Sequence, residues 1–168
     1  AADGVWLFSP LYADQLPGHT QAALTRLLAW RKEVPPRRSQ RFSAVINCGF
    51  PESVNNDAAL AMCRLFAQQA GFAWLGGCGV GGSGFYEGRS LEALGWFGRR
   101  ARAAIERKAE LFVAARMPDI AASVDIAAPC PVPAWLYLLF AEWGWKKALG
   151  GKNGARDSHA RPYARQAT

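Results

Sequence analysis

The apolar and polar positions of the chain change period several times, and each change predicts a new element of secondary structure. Three short apolar runs, bounded by Pro, Gly or polar residues, predict strands. They cover residues 5–8, 42–49 and 72–77. Elsewhere, apolar residues recur every three or four positions, which predicts helices with one apolar face. These helices cover residues 18–30, about 55–70, and 90 to about 116, and the last carries Lys108 on its apolar face.

The alternation of strands with helices predicts the fold class. Each crossover is longer than a dozen residues, which lets consecutive strands lie parallel, so we expect a parallel α/β sheet with three strands. The run Val5–Phe8 is apolar at every position, which is typical of an interior strand buried on both faces. Three strands alone would leave this strand at an open edge. We therefore expect the sheet to be incomplete, or to be completed by a partner chain.

The last part of the chain has a different pattern. Residues 117–132 have no clear period and predict irregular structure, whereas the proline-bounded apolar stretch 133–145 predicts a helix followed by a basic tail. We therefore divide the chain into a partial domain, 1–128, and a helical extension, 129–168. Three roles stay open for the helix, which could cover the core, form a dimer interface or lie on a membrane surface.

Composition narrows the classes of function. The 168 residues are 51% hydrophobic and 20% charged, which is typical of a globular domain. The formal net charge is +7, but the basic residues fall in three separate segments, which favours a solvated surface over a nucleic-acid interface. No signal peptide is recognised, and the longest apolar stretch is too short to span a bilayer. We expect a cytoplasmic protein that does not bind nucleic acid, and these observations do not favour a membrane partner.

The cysteines and histidines argue against a metal site. The sequence contains four cysteines without a C-x-x-C pair, and only two histidines. The cysteines are Cys48, Cys63, Cys78 and Cys130. Each lies among apolar residues, so we expect buried thiols in the reduced state.

Three loops of unusual composition follow the predicted strands. They span residues 9–17, 48–56 and 76–89. Ligands of open parallel sheets bind beyond the carboxyl ends of the strands, where these loops would meet. The first loop contains the rigid turn Ser9-Pro10 and then Tyr12, the second contains Gly49 before Phe50, and the third is rich in glycine. A flat aromatic heterocycle needs such aromatic faces, together with backbone donors for its ring atoms.

The third loop also contains the pattern Gly77-x-Gly79-x-x-Gly82, which is typical of a dinucleotide-binding loop. In that motif the helix begins within the glycine pattern, and an acidic residue follows at the end of a second strand about 20 residues later. Here the helix is predicted only from Ser90, and the later position lies inside that helix. The sequence therefore argues against this interpretation.

The residues of these loops and strands resemble the flavodoxin-like NAD(P)H-dependent FMN reductase family. The stretch "GVWLFSPLYADQLPGHTQAALTRL" resembles its third strand, flavin loop and following helix, through Ser9-Pro10-x-Tyr12 and Pro17. The stretch from "AVINCGFPES" to "GGCGVGGSG" resembles its fourth strand, second flavin-side loop, helix and fifth strand. The closing "GWKKALGGKNG" and "RPY" are similar to the tails of a bacterial branch of these reductases.

The resemblance implies a cofactor and a reaction. FMN would be the bound cofactor, NAD(P)H would donate hydride to it, and a quinone, a free flavin or a similar acceptor would be reduced next. The residues implied as cofactor-binding are Ser9, Pro10, Leu11 and Tyr12 on the first loop, and Cys48, Gly49 and Phe50 on the second. The resemblance implies no catalytic side chain and no metal.

One departure from the family pattern is large. The family begins with a strand, a Ser/Thr-rich phosphate loop and a second strand–helix unit, and none of these precedes Ala1. We therefore expect the C-terminal portion of such a reductase, which binds FMN poorly or not at all alone. It would form a homo-oligomer or work with the missing segment. The alternative hypothesis is a non-enzymatic flavodoxin-like remnant that acts as an interaction or dimerisation module.

Overall fold

The computed structural model of the chain describes residues 3–86, 88–115 and 123–148. The strands are β1 (Gly4–Pro10), β2 (Gln40–Asn47), β3 (Phe72–Val80) and β4 (Ile126–Ala128). The helices are α1 (Gly18–Glu33), α2 (Asp57–Gln69), α3 (Arg99–Ala114) and α4 (Ala134–Ala148). The strands form one sheet in the order β1-β2-β3-β4, and each neighbouring pair is parallel. The predicted α/β class is confirmed, and the sheet is consistent with an incomplete flavodoxin-like one.

Alternate residues of β2 separate two layers of helices. Phe42 and Ile46 pack in a core that includes apolar side chains of α1 and α2. Val45 packs instead with Ala101 and Ala104 of α3. Because successive strand residues point to opposite faces, α1 and α2 cover one face of the sheet and α3 covers the other.

β1 lies at the end of the sheet in the described part of the chain. Residues Gly4 to Leu7 are only partly buried, and Phe8 is exposed. The expectation of a strand buried on both faces is therefore wrong for the described residues. The physical reason is that β2 is the one strand that pairs with β1 there, so the apolar side chains of β1 lie at the margin of the core.

β3 continues to Val80, so the first five residues of the predicted glycine-rich loop, 76–80, belong to a strand. The glycines there allow close packing. A Cβ atom at Gly79 would lie 3.2 Å from Asn56 Cβ, and one at Gly81 would lie 2.6 Å from the carbonyl oxygen of Pro51. The first two glycines of the G-x-G-x-x-G pattern thus lie within the strand, and no helix begins in the motif.

Two elements after β3 differ from their predictions. The helix predicted from Ser90 begins at Arg99, since turns occupy residues 91–98 and Gly95 adopts a φ of +54°. Ser90 Oγ does accept the Ala93 N–H at 3.2 Å, but the turn that it caps does not continue as a helix. β4 lies in a segment predicted to be irregular, because three residues are too few for a strand pattern to be recognised.

The chain divides into two compact units, Ala1–Val132 and Pro133–Thr168. The first unit contains the sheet, and the second begins with α4, which extends three residues beyond the predicted helix end at 145. Most of the predicted basic tail, from residue 149 onward, lies outside the described residues, as do 117–122. Among the described segments, no helix has both the length and the apolar character needed to cross a membrane.

Candidate functional site

The carboxyl ends of the four strands meet at one edge of the sheet, as expected for parallel strands. Backbone hydrogen bonds join the loops that leave this edge. The N–H of Leu11 donates to the carbonyl of Asn47 at 2.8 Å, and the N–H of Cys48 donates to Val80 at 2.9 Å. The loops after β1, β2 and β3 therefore have fixed relative positions. We call the end of the sheet that carries these three loops the carboxyl edge.

The loops after β2 and β3 are joined more closely still. The N–H of Gly82 donates to the carbonyl of Phe50 at 2.6 Å, and that of Ser83 donates to Cys48 at 3.0 Å. Gly82 adopts a φ of +72°, and a Cβ there would collide with Cys130. The backbone donors expected from the glycine-rich stretch at these two positions therefore bind protein carbonyls.

The loop after β1 contains a tight turn from Tyr12 to Gln15. The N–H of Tyr12 donates to Gln15 at 2.9 Å, and the N–H of Gln15 donates back to Tyr12 at 3.1 Å. The two central residues, Ala13 and Asp14, have φ values of +47° and +59°. Neither is glycine, and each such conformation costs of order 1 kcal/mol or more. Strain of this kind concentrates at functional sites, and here it fixes the position of Tyr12.

Two of the predicted site residues present aromatic rings to solvent at the carboxyl edge. Tyr12 is 63% exposed and Phe50 is 57% exposed. They follow neighbouring strands, because Pro10 pairs with Asn47 in the sheet register. Pro10 and Gly49 are also exposed, and a Cβ at Gly49 would meet no described atom within 4 Å. These four residues form an open, mainly apolar surface at the ends of β1 and β2.

The other three predicted site residues point into the protein. Ser9 is buried, and its Oγ donates to the carbonyl of Pro10 at 3.1 Å. Leu11 is partly buried and packs against the core beneath α1 and α2. Cys48 is buried as well. These side chains shape the loops and do not line the open surface.

Asn56 connects the loop after β2 to the sheet. Its Nδ2 donates to the carbonyls of Ser53 at 3.0 Å and Val80 at 3.2 Å, and it lies 3.4 Å from the Sγ of Cys48. Burial raises the pKa of the Cys48 thiol, which therefore stays protonated near neutral pH. Within the described part of the chain, Asn56 Oδ1 has no hydrogen-bond partner.

No pattern in the sequence indicates this role of Asn56. Its position directly before α2 is one from which an Asn side chain often caps a helix, but it makes no side-chain cap hydrogen bond to α2. The sequence contains no signal for its actual partners, because these come from its own loop and from β3, which is distant in sequence.

The segment between β3 and α3 carries further aromatic residues outside the predicted site, and three of them form a cluster. Phe85 lies 5.6 Å from Phe97 between ring centroids, and Trp96 lies 5.2 Å from Phe97. Trp96 and Phe97 are exposed. Both were predicted to lie in the helix from Ser90, and the helical spacing placed Phe97 on its apolar face. Since residues 91–98 form turns instead, these rings remain at the surface.

A groove of about 420 Å³ lies elsewhere, between α2 and β4. Its lining includes Asp57, Arg64 and Asp125. The Arg64 guanidinium and the Asp125 carboxylate form an ion pair at 3.0 Å, and Asp125 Oδ1 also accepts the Gly77 N–H at 2.7 Å. The described lining of the groove lacks an aromatic side chain, which makes this groove a poorer candidate for a flat heterocycle than the carboxyl edge.

Comparison of the chain with protein-family models, with curated proteins and with the solved structures found no match in any of the three.

Proposed function

We propose that the carboxyl edge binds the ring of FMN, and that the protein acts as a flavin-dependent NAD(P)H oxidoreductase. The observation that carries the proposal is the pair of exposed rings, Tyr12 and Phe50, at the ends of neighbouring parallel strands. Tyr12 is held there by a tight turn whose two central residues, Ala13 and Asp14, are non-glycine residues with positive φ. The acceptor would be a quinone, a free flavin or a similar molecule.

The residues at the carboxyl edge fit the ring of FMN better than its phosphate. Exposed aromatic faces and the open space at Gly49 suit a flat heterocycle. Among the described residues, the loops of this edge contain no Ser/Thr-rich stretch of the kind that holds a phosphate. We therefore expect the ring to supply most of the binding free energy in this chain.

Each residue has a separate task in the proposed site. Tyr12 and Phe50 would stack on the ring, and Pro10 and Gly49 leave its approach open. Cys48 and Asn56 hold the second loop in place through their buried contacts. When bound, FMN supplies hydride acceptance from a nicotinamide and electron transfer to the acceptor. The protein orients the ring.

A titration with two flavins tests the proposal. Riboflavin and FMN are added to the full chain, and the loss of flavin fluorescence gives both dissociation constants. We expect weak, saturable binding of both flavins. Their dissociation constants should agree within about threefold, because the phosphate of FMN adds little to the binding free energy. Tyr12→Ala and Phe50→Ala should each weaken binding about 2- to 10-fold, as expected for loss of one aromatic contact.

The matched control is Trp30→Ala, which truncates a similarly exposed ring on α1, remote from the carboxyl edge. It should leave both dissociation constants unchanged. Absence of saturable binding would contradict the proposal. FMN that co-purifies in stoichiometric amount would contradict the expectation that the phosphate adds little.

The second candidate function is a non-enzymatic interaction module, favoured by the position of β1 at the end of the sheet. Asp3 accepts from the Arg41 N–H and Leu11 donates to Asn47, so odd-numbered residues of β1 direct their backbone groups to β2. Gly4, Trp6 and Phe8 direct theirs outward, where another strand could pair. Light scattering separates the candidates, because a module of this kind forms a dimer or complex whether or not flavin is present.

A further inference from the structure

The second unit of the chain presents an unusually apolar surface. Six large apolar side chains of α4 are about half exposed or more, and two of them, Trp143 and Trp145, are 64% and 69% exposed. The six are Trp135, Leu138, Leu139, Phe140, Trp143 and Trp145. We call this set the α4 surface. So many exposed aromatic residues on one short helix are typical of an interaction site.

The width of the α4 surface restricts what could cover it. At about 100° per residue, its side chains span about 220° of the helix circumference. One helix packed against another needs an apolar stripe of only about 100°. A lipid bilayer, which is planar and deformable, covers a wide apolar surface more completely than a single helix does.

Charged residues interrupt the two coiled-coil seams that contain most of the α4 surface. A seam through Trp135 and Leu138 continues to Glu142, and a seam through Leu139 and Trp143 continues to Lys146. Glu142 and Lys146 form an ion pair at 2.6 Å on the surface of the helix itself. A second copy of α4 packed along either of these seams would therefore meet charges where its apolar contacts should continue.

The positive charge of the chain is concentrated in its sequence from the last turn of α4 onward. Residues 146–168 contain six Lys or Arg and one Asp, which gives +5 of the total formal charge of +7. Lys146 and Lys147 form the last turn of α4, and Lys147 Nζ lies 5.4 Å from the ring centroid of Trp143. Trp and Lys side by side suit the boundary between lipid headgroups and acyl chains.

We propose that α4 lies on the surface of an anionic lipid bilayer. Its apolar side chains would enter the headgroup boundary, and its basic end would pair with anionic headgroups. Its 15 residues are about 22 Å long, less than the roughly 30 Å hydrocarbon core, so the helix rests on the membrane and does not cross it. This inference does not depend on flavin binding.

Sedimentation with lipid vesicles tests the inference on the full chain. We expect binding to vesicles of phosphatidylcholine with about a quarter phosphatidylglycerol, and binding weaker by about tenfold or more to phosphatidylcholine alone. Raising the salt concentration should weaken the first interaction, because it screens the headgroup charge. Tryptophan emission should shift to shorter wavelength on binding.

Two pairs of variants separate the charged and apolar contributions. Lys146→Glu/Lys147→Glu should weaken binding at least tenfold, whereas Lys32→Glu/Arg37→Glu makes the same charge change on the first unit and should have little effect. Leu139→Ser/Trp143→Ser should weaken binding similarly. Trp30→Ser/Val113→Ser, at exposed positions of α1 and α3, is its control.

Three results would overturn the inference. The first is absence of binding to the anionic vesicles at low salt. The second is equal binding by the Lys146→Glu/Lys147→Glu variant and its control. The third is a dimer without lipid that Leu139→Ser/Trp143→Ser converts to a monomer, since this would assign the α4 surface to a second copy. Circular dichroism checks that each variant retains its helix content.

Discussion

At the scale of single residues, Lys108 combines a polar group with a buried position. It lies on the core face of α3, is fully buried, and donates through Nζ to the carbonyl of Val124 at 2.8 Å. Burial lowers the pKa of Lys108 from 10.5 to about 8, although the nearby Asp125 carboxylate opposes this change. The apolar spacing of α3 placed this residue on the inner face correctly, but it did not indicate its partner.

This pKa predicts a dependence of stability on pH. Between about pH 8 and 10.5 the unfolded chain binds more protons at Lys108 than the folded chain, so its contribution to the unfolding free energy rises with pH. From pH 7 to 8.5, the wild type should gain about 0.8 kcal/mol relative to Lys108→Met. Urea denaturation of both proteins at each pH measures this difference.

The buried thiols have the opposite effect on stability, because their contributions fall as the pH rises. Most of this effect cancels when the wild type is compared with Lys108→Met, since both proteins contain the same thiols. Burial raises the pKa of Cys63 to about 12 and the pKa of Cys78 to about 11. The contribution of each thiol to the unfolding free energy therefore falls once the pH exceeds the pKa of a thiol in the unfolded chain. Lys32→Met changes an exposed lysine and should follow the wild type at every pH. A difference between wild type and Lys108→Met that stays constant with pH would contradict the prediction.

At the scale of elements, β3 depends on a glycine that faces Lys108. Gly76 has a φ of +72°, and a Cβ there would collide with Lys108 Nζ and with the backbone of Ser123 and Val124. The pairing of β2 with β3 shifts register between Phe42 and Ala44, opposite this glycine. The carbonyl of Gly76 also accepts the Ser43 hydroxyl at 2.7 Å. The irregular strand thus makes room for the lysine head group.

Two glycines with similar backbone conformations allow the cost of backbone strain to be measured separately from the cost of a steric collision. Gly71 has a φ of +69°, but a Cβ there would meet no described atom within 4 Å. Gly71→Ala should therefore lower the unfolding free energy by only about 1 kcal/mol. Gly76→Ala should lower it by about 2 kcal/mol more, because the surrounding atoms must move. Equal losses in urea denaturation would contradict this account of β3.

The sequence predicted elements well where a regular pattern extended over several residues. The bounds of α1, α2 and the first two strands differ from prediction by no more than three residues, because their apolar periods are uninterrupted. The start of α3 was misplaced, since Gly95 breaks a pattern that otherwise continues as a helix. The extent of β3 was underestimated because its glycines indicated a loop, whereas they pack against α2 and its preceding turn.

The candidate site was predictable only in part. Tyr12 and Phe50 stand at strand ends, where the topology of a parallel sheet brings loops together. Their exposure, and the burial of Ser9 and Cys48, depend on how the loops fold back on the core. The role of Asn56 depends on contacts between segments distant in sequence, which no local pattern encodes.

At the scale of the whole molecule, the chain presents two surfaces with different chemistry. The first unit carries the open aromatic surface at the carboxyl edge, and the second carries the apolar α4 surface followed by basic residues. A quinone acceptor would be found in a lipid bilayer, so the two proposals are compatible, yet each rests on its own residues. Loss of flavin binding should leave vesicle binding intact, and the reverse should also hold.

The most direct measurement maps where the flavin ring binds. Amide resonances of the isotopically labelled full chain are followed by NMR as riboflavin is added. The account predicts saturable shifts at Tyr12, Gly49 and Phe50, with no comparable shifts at Arg64 or Asp125 in the groove beside α2. Shifts that centre on that groove, or no saturable shifts at all, would contradict the proposal that the carboxyl edge is a flavin site.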